Sequence, residues 1–120
     1  MALRALRGAT TLDADTKEQV IERTAELIRA MLERNGVAHD DLISVIFTAT
    51  PDIRSEFPAA AARSIGISDV PLLCAQELDI TGAVGMCIRI LMHLDSDRPR
   101  EDLRHVYLGG AEPLRTDLPR

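Results

Sequence analysis

The sequence predicts a layered α+β or α/β fold, with helices on one side of a mixed β-sheet. Three observations predict it. Strand-like and helix-like periodicities alternate in the order β-α-β-α-β-α-β, proline, glycine or Asp/Asn signals punctuate most of the changes, and the composition is that of an ordinary globular chain. The 120 residues are 46% hydrophobic and 28% charged, with a mean hydropathy of zero. A chain of this length can bury on the order of two-thirds of its unfolded surface in one core. One domain spanning 1–120 is therefore expected.

The elements follow in order. Leu3 to Thr10 reads as the first strand. Asp15 offers an N-cap with Glu18 three residues on, and Val20, Ile21, Thr24, Leu27, Ile28, Met31 and Leu32 then recur at helical spacing up to a stop at Asn35-Gly36. Leu42 to Thr50 is a β-branched apolar run closed by Pro51-Asp52, as suits a central strand. Pro58, Ala59 to Ile65 and Gly66 have the proline-start, glycine-stop asymmetry of a short helix. Val70 to Cys74 is the next strand. Ile80 to Leu94 places Val84, Cys87, Ile88 and Leu91 on one helical face, which predicts a third helix capped by Asp79 and ended by Asp95 to Pro99. On that helix Gly82, Gly85, Arg89 and His93 would stack along a second, bare face. His105 to Leu108 completes the set as a strand before Gly109-Gly110.

Charge and residue usage narrow the function classes. The net charge is −5 and no block of basic residues occurs, which argues against binding driven by phosphate neutralisation. Phe47, Phe57 and Tyr107 are the only aromatic residues, too few for base-stacking platforms. The longest stretch without Asp, Glu, Lys or Arg is Leu42 to Pro51, about half of what a spanning helix requires. Arg4 and Arg7 lead into Gly8-Ala9-Thr10-Thr11 with no apolar run after them, so a cytoplasmic location is expected. Cys74 and Cys87 form no CxxC and read as free thiols, with no zinc site to be assembled from local spacing. Thirteen of the fourteen basic residues are arginine, which accords with carboxylate recognition but also with the GC-rich codons that the fifteen alanines suggest.

Several residues are candidates for chemistry. Arg89 interrupts an apolar segment, although a guanidinium that snorkels to water fits the spacing equally well. Glu77 lies in a loop at the carboxyl end of a strand, a common place for functional groups. Cys74 ends that strand without a nearby histidine to activate it, so packing is favoured over nucleophilic catalysis. Tyr107 alternates with Val106 and Leu108 and points away from their face. Arg7 shares a strand face with Leu3 and Ala5, and ends either in a pocket or at an exposed edge. These are possible anion holders and nothing more specific.

Eight ordered blocks narrow the reading: Arg7-Gly8-Ala9-Thr10-Thr11, Phe47-Thr48-Ala49-Thr50-Pro51-Asp52, Phe57-Pro58-Ala59, Val70-Pro71, Cys74-Ala75-Gln76-Glu77-Leu78-Asp79, Cys87-Ile88-Arg89, Arg104-His105-Val106-Tyr107-Leu108 and Leu114-Arg115. Together they resemble the monofunctional AroH-class chorismate mutases of the Bacillus type over nearly the whole chain. The resemblance implies an α+β fold (ferredoxin-like, of the chorismate-mutase-II type) in a trimeric, barrel-like assembly. The implied reaction is the pericyclic conversion of chorismate to prephenate in phenylalanine and tyrosine biosynthesis, with no cofactor and no metal. The implied partners are the small-molecule substrate and two further copies of the chain, with sites between subunits.

By residue, the resemblance makes Arg89, Glu77 and Cys74 the catalytic set. Arg89 would donate to the ether oxygen of the breaking bond, and Glu77 with the Cys74 region would support the ring hydroxyl. Arg7 and Tyr107 would hold the enolpyruvyl carboxylate. Phe57, Ala59, Arg63 and the tail around Leu114-Arg115 would line or close the site from the adjoining subunit, and Leu73 would touch the substrate beside Cys74. Members of that family often carry lysine directly after the Phe-Pro-Ala triplet where this chain has Ala60, which leaves attraction at the pocket mouth to Arg63 and Arg115. A trimeric enamine/imine deaminase and a non-catalytic module that binds aromatic amino acids are the alternatives.

Overall fold

The computed structural model describes residues 2–114 and 119–120. Five strands, β1 (Ala2–Thr11), β2 (Leu42–Ala49), β3 (Leu72–Gln76), β4 (Cys87–Ser96) and β5 (Val106–Tyr107), form one mixed sheet in the order β3-β2-β4-β1-β5. Two helices, α1 (Lys17–Asn35) and α2 (Ala59–Ser64), cover one face of it. The connectivity is β-α-β-α-β-β-β, unlike the β-α-β-β-α-β of a ferredoxin-like unit. The α+β class and the helices on one side match the expectation.

Helix α1 starts one residue later than the sequence suggested. Thr16 is the N-cap, its hydroxyl accepting the Gln19 N–H, while Asp15 instead accepts from the backbone of Arg54 and Ser55. The helix ends at Gly36 in the left-handed conformation, as Asn35-Gly36 predicted. Asn35 is buried and does more than stop a helix: its amide donates to Met31 and Arg104 carbonyls and its oxygen accepts the Arg104 N–H, tying the approach to β5 onto α1. Val20, Leu27, Ile28 and Met31 of α1 are fully buried, each worth roughly 1.5–3 kcal/mol relative to exposure. Leu27 and Met31 pass over Gly8, where an added Cβ would lie 2.5 Å from the Met31 sulfur, so only glycine admits the helix at that distance.

The third predicted helix does not exist. Residues 80–86 are turns and coil, and from Cys87 the chain is strand β4, paired with β1 over ten residues and with β2 on its other side. The segment satisfied both templates, because apolar residues fall at the helical positions 84, 87, 88 and 91 and also alternate at 88, 90, 92 and 94. Pairing on both edges decides for the strand, and the left-handed backbone at Gly82 and Met86 interrupts any helix. Ile88, Ile90, Met92 and Leu94 consequently face the helices and are buried, and Arg89 and His93 point to the other side, with no stack of Gly82 and Gly85 beneath them. Asp79, the expected cap, is an exposed loop residue. β3 also starts two residues later than expected, at Leu72. None of the helices is long and apolar enough to cross a membrane among the described residues.

Candidate active site

The sheet face without helices collects the charged candidates. Strand register sets Arg7 of β1 opposite Leu91 of β4, and Arg89 of β4 between Ala9 of β1 and Thr48 of β2. Arg7, Ile46, Thr48, Glu77, Arg89, Ile90 and Leu91 line one cavity of about 290 Å³. Glu77 reaches it from just beyond β3, held by its N–H to the Ala49 carbonyl at 2.9 Å and by a short hydrogen bond from the Thr48 hydroxyl to its carboxylate. Its Oε1 lies 3.6 Å from Arg89 Nε, an ion pair in which both side chains are about one-quarter exposed. Arg89 Nε is itself buried and has no hydrogen-bond partner among the described residues. A buried guanidinium donor without an acceptor is costly, so the geometry leaves it free for something brought in from outside.

Tyr107 sits beside this group. β5 pairs it with Ala9, and its ring packs with Ala9, Cys87, Ala111, Val84 and Leu114. The phenol oxygen is buried and, among the described residues, unpartnered, and the Arg120 guanidinium lies 4.7 Å above the ring centroid. Cys87 shares this face. Burial pushes its thiol up, and the positive charge of Arg89 offsets that only in part.

The remaining predicted residues lie elsewhere on the chain. Phe57 and Cys74 line a separate groove of about 400 Å³ with Ala49, Thr50, Pro51 and Gln76, and the two cavities have no lining residue in common. Cys74 is half-buried against the helix-side core, on the opposite face of β3 from Leu73. Leu73 is 60% exposed and Phe57 67% exposed, large apolar surfaces for a chain standing alone. Arg63 is exposed on α2, and the Ala59 methyl is buried in the main core. Arg115 lies outside the described residues. Within one chain, then, Arg7, Glu77 and Arg89 come together with Tyr107 alongside, and Phe57 and Cys74 form a second group.

Two participants escaped the sequence reading. Thr48 orients Glu77, and its signal was strand alternation two residues after Ile46. Cys87 lies on the same face two residues before Arg89, where the positive charge of Arg89 acts on its thiol, a relation hidden as long as the segment was read as a helix.

The model of type I chorismate mutases matches residues 3–118. The chain belongs to that family. Type I membership corrects the expectation of a chorismate-mutase-II type. It is 46% identical over 117 residues to the chorismate mutase AroH of Thermus thermophilus, an alignment covering 97% of this chain and 96% of that one. It is 40% identical over 119 residues to the chorismate mutase AroH of Bacillus subtilis (strain 168), covering 98% and 94% respectively. A solved chorismate mutase from Clostridium thermocellum superposes with a TM-score of 0.91 at 43% identity, covering 92% of this chain and 99% of that one. Membership supports a chorismate mutase, an isomerase, over the deaminase and the amino-acid-binding module.

Proposed function

We propose that the chain converts chorismate to prephenate at a site composed from two chains, with Arg89 as the residue that accelerates the reaction. The observation that carries this reading is the buried, unspent Nε donor of Arg89 on a wall shared with Arg7 and Glu77. In a pericyclic rearrangement no proton moves, so acceleration has to come from holding the reactive conformer and from charge aimed at the bond that breaks. As the C–O bond lengthens, its oxygen gains negative charge, and a guanidinium fixed by a strand and by Glu77 meets that charge without reorganising. Arg7 and the phenol of Tyr107 bind the enolpyruvyl carboxylate, and Glu77 accepts the ring hydroxyl.

The second half of the site comes from a neighbour in a homotrimer. Phe57, Leu73, Cys74 and Arg63 of the adjoining chain face the Arg89 half, and Ala59 supports them from the core beneath α2. Leu114, which packs beside Tyr107, belongs to the same substrate-binding set, as does Arg115 by resemblance. Two features support this assembly: the predicted residues divide between cavities that share no wall, and Leu3, Leu73 and Phe57 expose large apolar surfaces that an interface would cover. A cytoplasmic location belongs to the same proposal, in keeping with two free thiols.

Purified protein should consume chorismate, followed by loss of its absorbance, with no added cofactor and with no loss on treatment with EDTA. Mixing inactive Arg63→Ala and Arg89→Ala proteins tests the shared site. After subunit exchange some sites carry both arginines, and activity should return. Demonstrated exchange without recovered activity contradicts a site composed from two chains.

A further inference from the structure

Arg89 is the third residue of β4, and the loop that leads into this strand is exposed over most of residues 78–85. A strand beginning after such a loop frays unless its first residues are pinned, and fraying there would move the guanidinium two residues on. We infer that Thr50, backed by Asp52, is a positioning residue for Arg89. The inference rests on the catalytic reading of Arg89 given above.

Thr50 is buried where β2 ends. Its hydroxyl accepts the Cys87 N–H at 3.0 Å and donates to Asp52 Oδ1 at 2.5 Å, and its own N–H donates to the Cys87 carbonyl at 3.0 Å. The other oxygen of Asp52 accepts the Met86 N–H at 2.9 Å. Met86 has a φ of 48°, a conformation a non-glycine side chain keeps only when its surroundings impose it, and the Asp52 carboxylate is part of what does so. Space is equally tight next door, where a Cβ added to Gly85 would lie 2.9 Å from Asp52 Oδ2. The hydrogen bonds of both carboxylate oxygens hold the Asp52 carboxyl below the ordinary aspartate value, so it keeps its two acceptors at neutral pH. Pro51 fixes the backbone between the two side chains.

The same segment also anchors the partner of Arg89. Glu77 hangs by its N–H from Ala49 and by its carboxylate from Thr48. Residues 48–52 therefore position both members of the Arg89–Glu77 pair, one through the hydroxyl and carbonyl of adjacent residues and the other through the start of β4. Neither Thr50 nor Asp52 lines the cavity that holds Arg89, and of the two only Thr50 lines the groove of Phe57 and Cys74, so toward Arg89 their influence runs through the backbone of Met86 and Cys87. Because the aimed donor matters more in the transition state than in the ground state, loosening it should lower kcat and leave KM nearly in place.

The test compares Thr50→Val, which keeps the shape and removes the hydroxyl, with Thr50→Ser, which keeps the hydroxyl. Steady-state kinetics with chorismate and the ¹⁵N-detected Arg89 Nε–H resonance are measured for each. Thr50→Val should lose on the order of 10-fold or more in kcat with a small change in KM, and its Nε–H resonance should shift and broaden. Thr50→Ser should restore both. Asp52→Asn, altered at an exposed side chain and so a safe second variant if Thr50→Val fails to fold, offers one oxygen where two donors need acceptors and should move both readouts the same way. Wild-type kcat in Thr50→Val or Asp52→Asn, equal losses in Thr50→Val and Thr50→Ser, or an unmoved Nε–H resonance beside a lower kcat would overturn the inference. Arg89→Ala is run alongside: if it stays slow while the clamp variants are normal, only the clamp falls, whereas an Arg89→Ala protein with normal turnover removes the catalytic reading as well.

Discussion

The two faces of the sheet are made from alternate residues of the same strands, and they obey different rules. The helix-covered face carries Leu6 and Gly8 on β1, Val45 and Phe47 on β2, and Ile88, Ile90, Met92 and Leu94 on β4, a surface chosen for shape and closed by α1 and α2. The open face mixes Ile46 and Leu91 with Arg7, Thr48, Arg89 and His93. Charged side chains there stand among apolar ones, and one of their donors is buried without a hydrogen-bond acceptor among the described residues. The first face explains why the chain folds. The second face suits the proposed function, in which substrate would lie over Arg89 and other copies of the chain would cover the rest.

The largest expected effect lies on the covered face. Phe47→Ala removes a side chain with no exposure from between the sheet and the helices, and should cost about 3–5 kcal/mol of stability in denaturant unfolding. Should that variant unfold like the wild type while losing turnover, the division of labour between the faces is wrong. Cys74→Ser sharpens the comparison from the other direction, since Cys74 packs on the helix side of an edge strand. Most turnover should survive, and intact mass should reveal no covalent adduct with substrate. A trapped adduct would make Cys74 a nucleophile and end its assignment to packing and hydrogen bonding.

Much of the covered face was legible in the sequence because its signals are local. The caps and apolar stripe of α1, the β-branched run of β2 and the proline and glycine around α2 each need only neighbouring residues to act. β4 was misread because its short-range pattern fits either period, and the choice is made by partners some eighty residues away on β1 and some forty away on β2. That one ambiguity concealed the open face: with Arg89 on a helix, its placement between Ala9 and Thr48 has no counterpart. Arg7, Glu77 and Arg89 were singled out from the residues as possible anion holders, and the resemblance gave them their roles. Strand alternation alone turns Cys74 and Glu77, an odd three positions apart, to opposite sides of the sheet, but that Cys74 shares a groove with Phe57 and Glu77 a cavity with Arg89 had no trace in sequence spacing.

A smaller effect concerns the loop after β2. Asp15 accepts hydrogen bonds from the Ser55 hydroxyl and from the N–H groups of Arg54 and Ser55, and its carboxyl is held below the ordinary aspartate value, the Ser55 bond being the largest cause. A depressed folded-state value stabilises the fold above the unfolded pKa, and that contribution disappears as pH falls through the folded value. The Tm advantage of wild type over Asp15→Asn should thus be present at neutral pH and shrink as the solution is acidified below about pH 4. A difference that grows in acid would contradict the assignment of these bonds to the ionised carboxylate.

The central claim is that Arg89 acts by positive charge aimed at the oxygen of the breaking bond, and replacing it with citrulline tests that with almost no change of shape. The neutral isostere keeps the planar shape and the Nε–H donor, loses the charge, and carries a carbonyl oxygen in place of one terminal nitrogen donor. Its kcat should fall at least ~10²-fold, by analogy with the removal of an oxyanion-hole donor, while substrate binding suffers less. A citrulline protein that turns chorismate over at the wild-type rate would show that positioning alone performs the catalysis and that the charge of Arg89 does not.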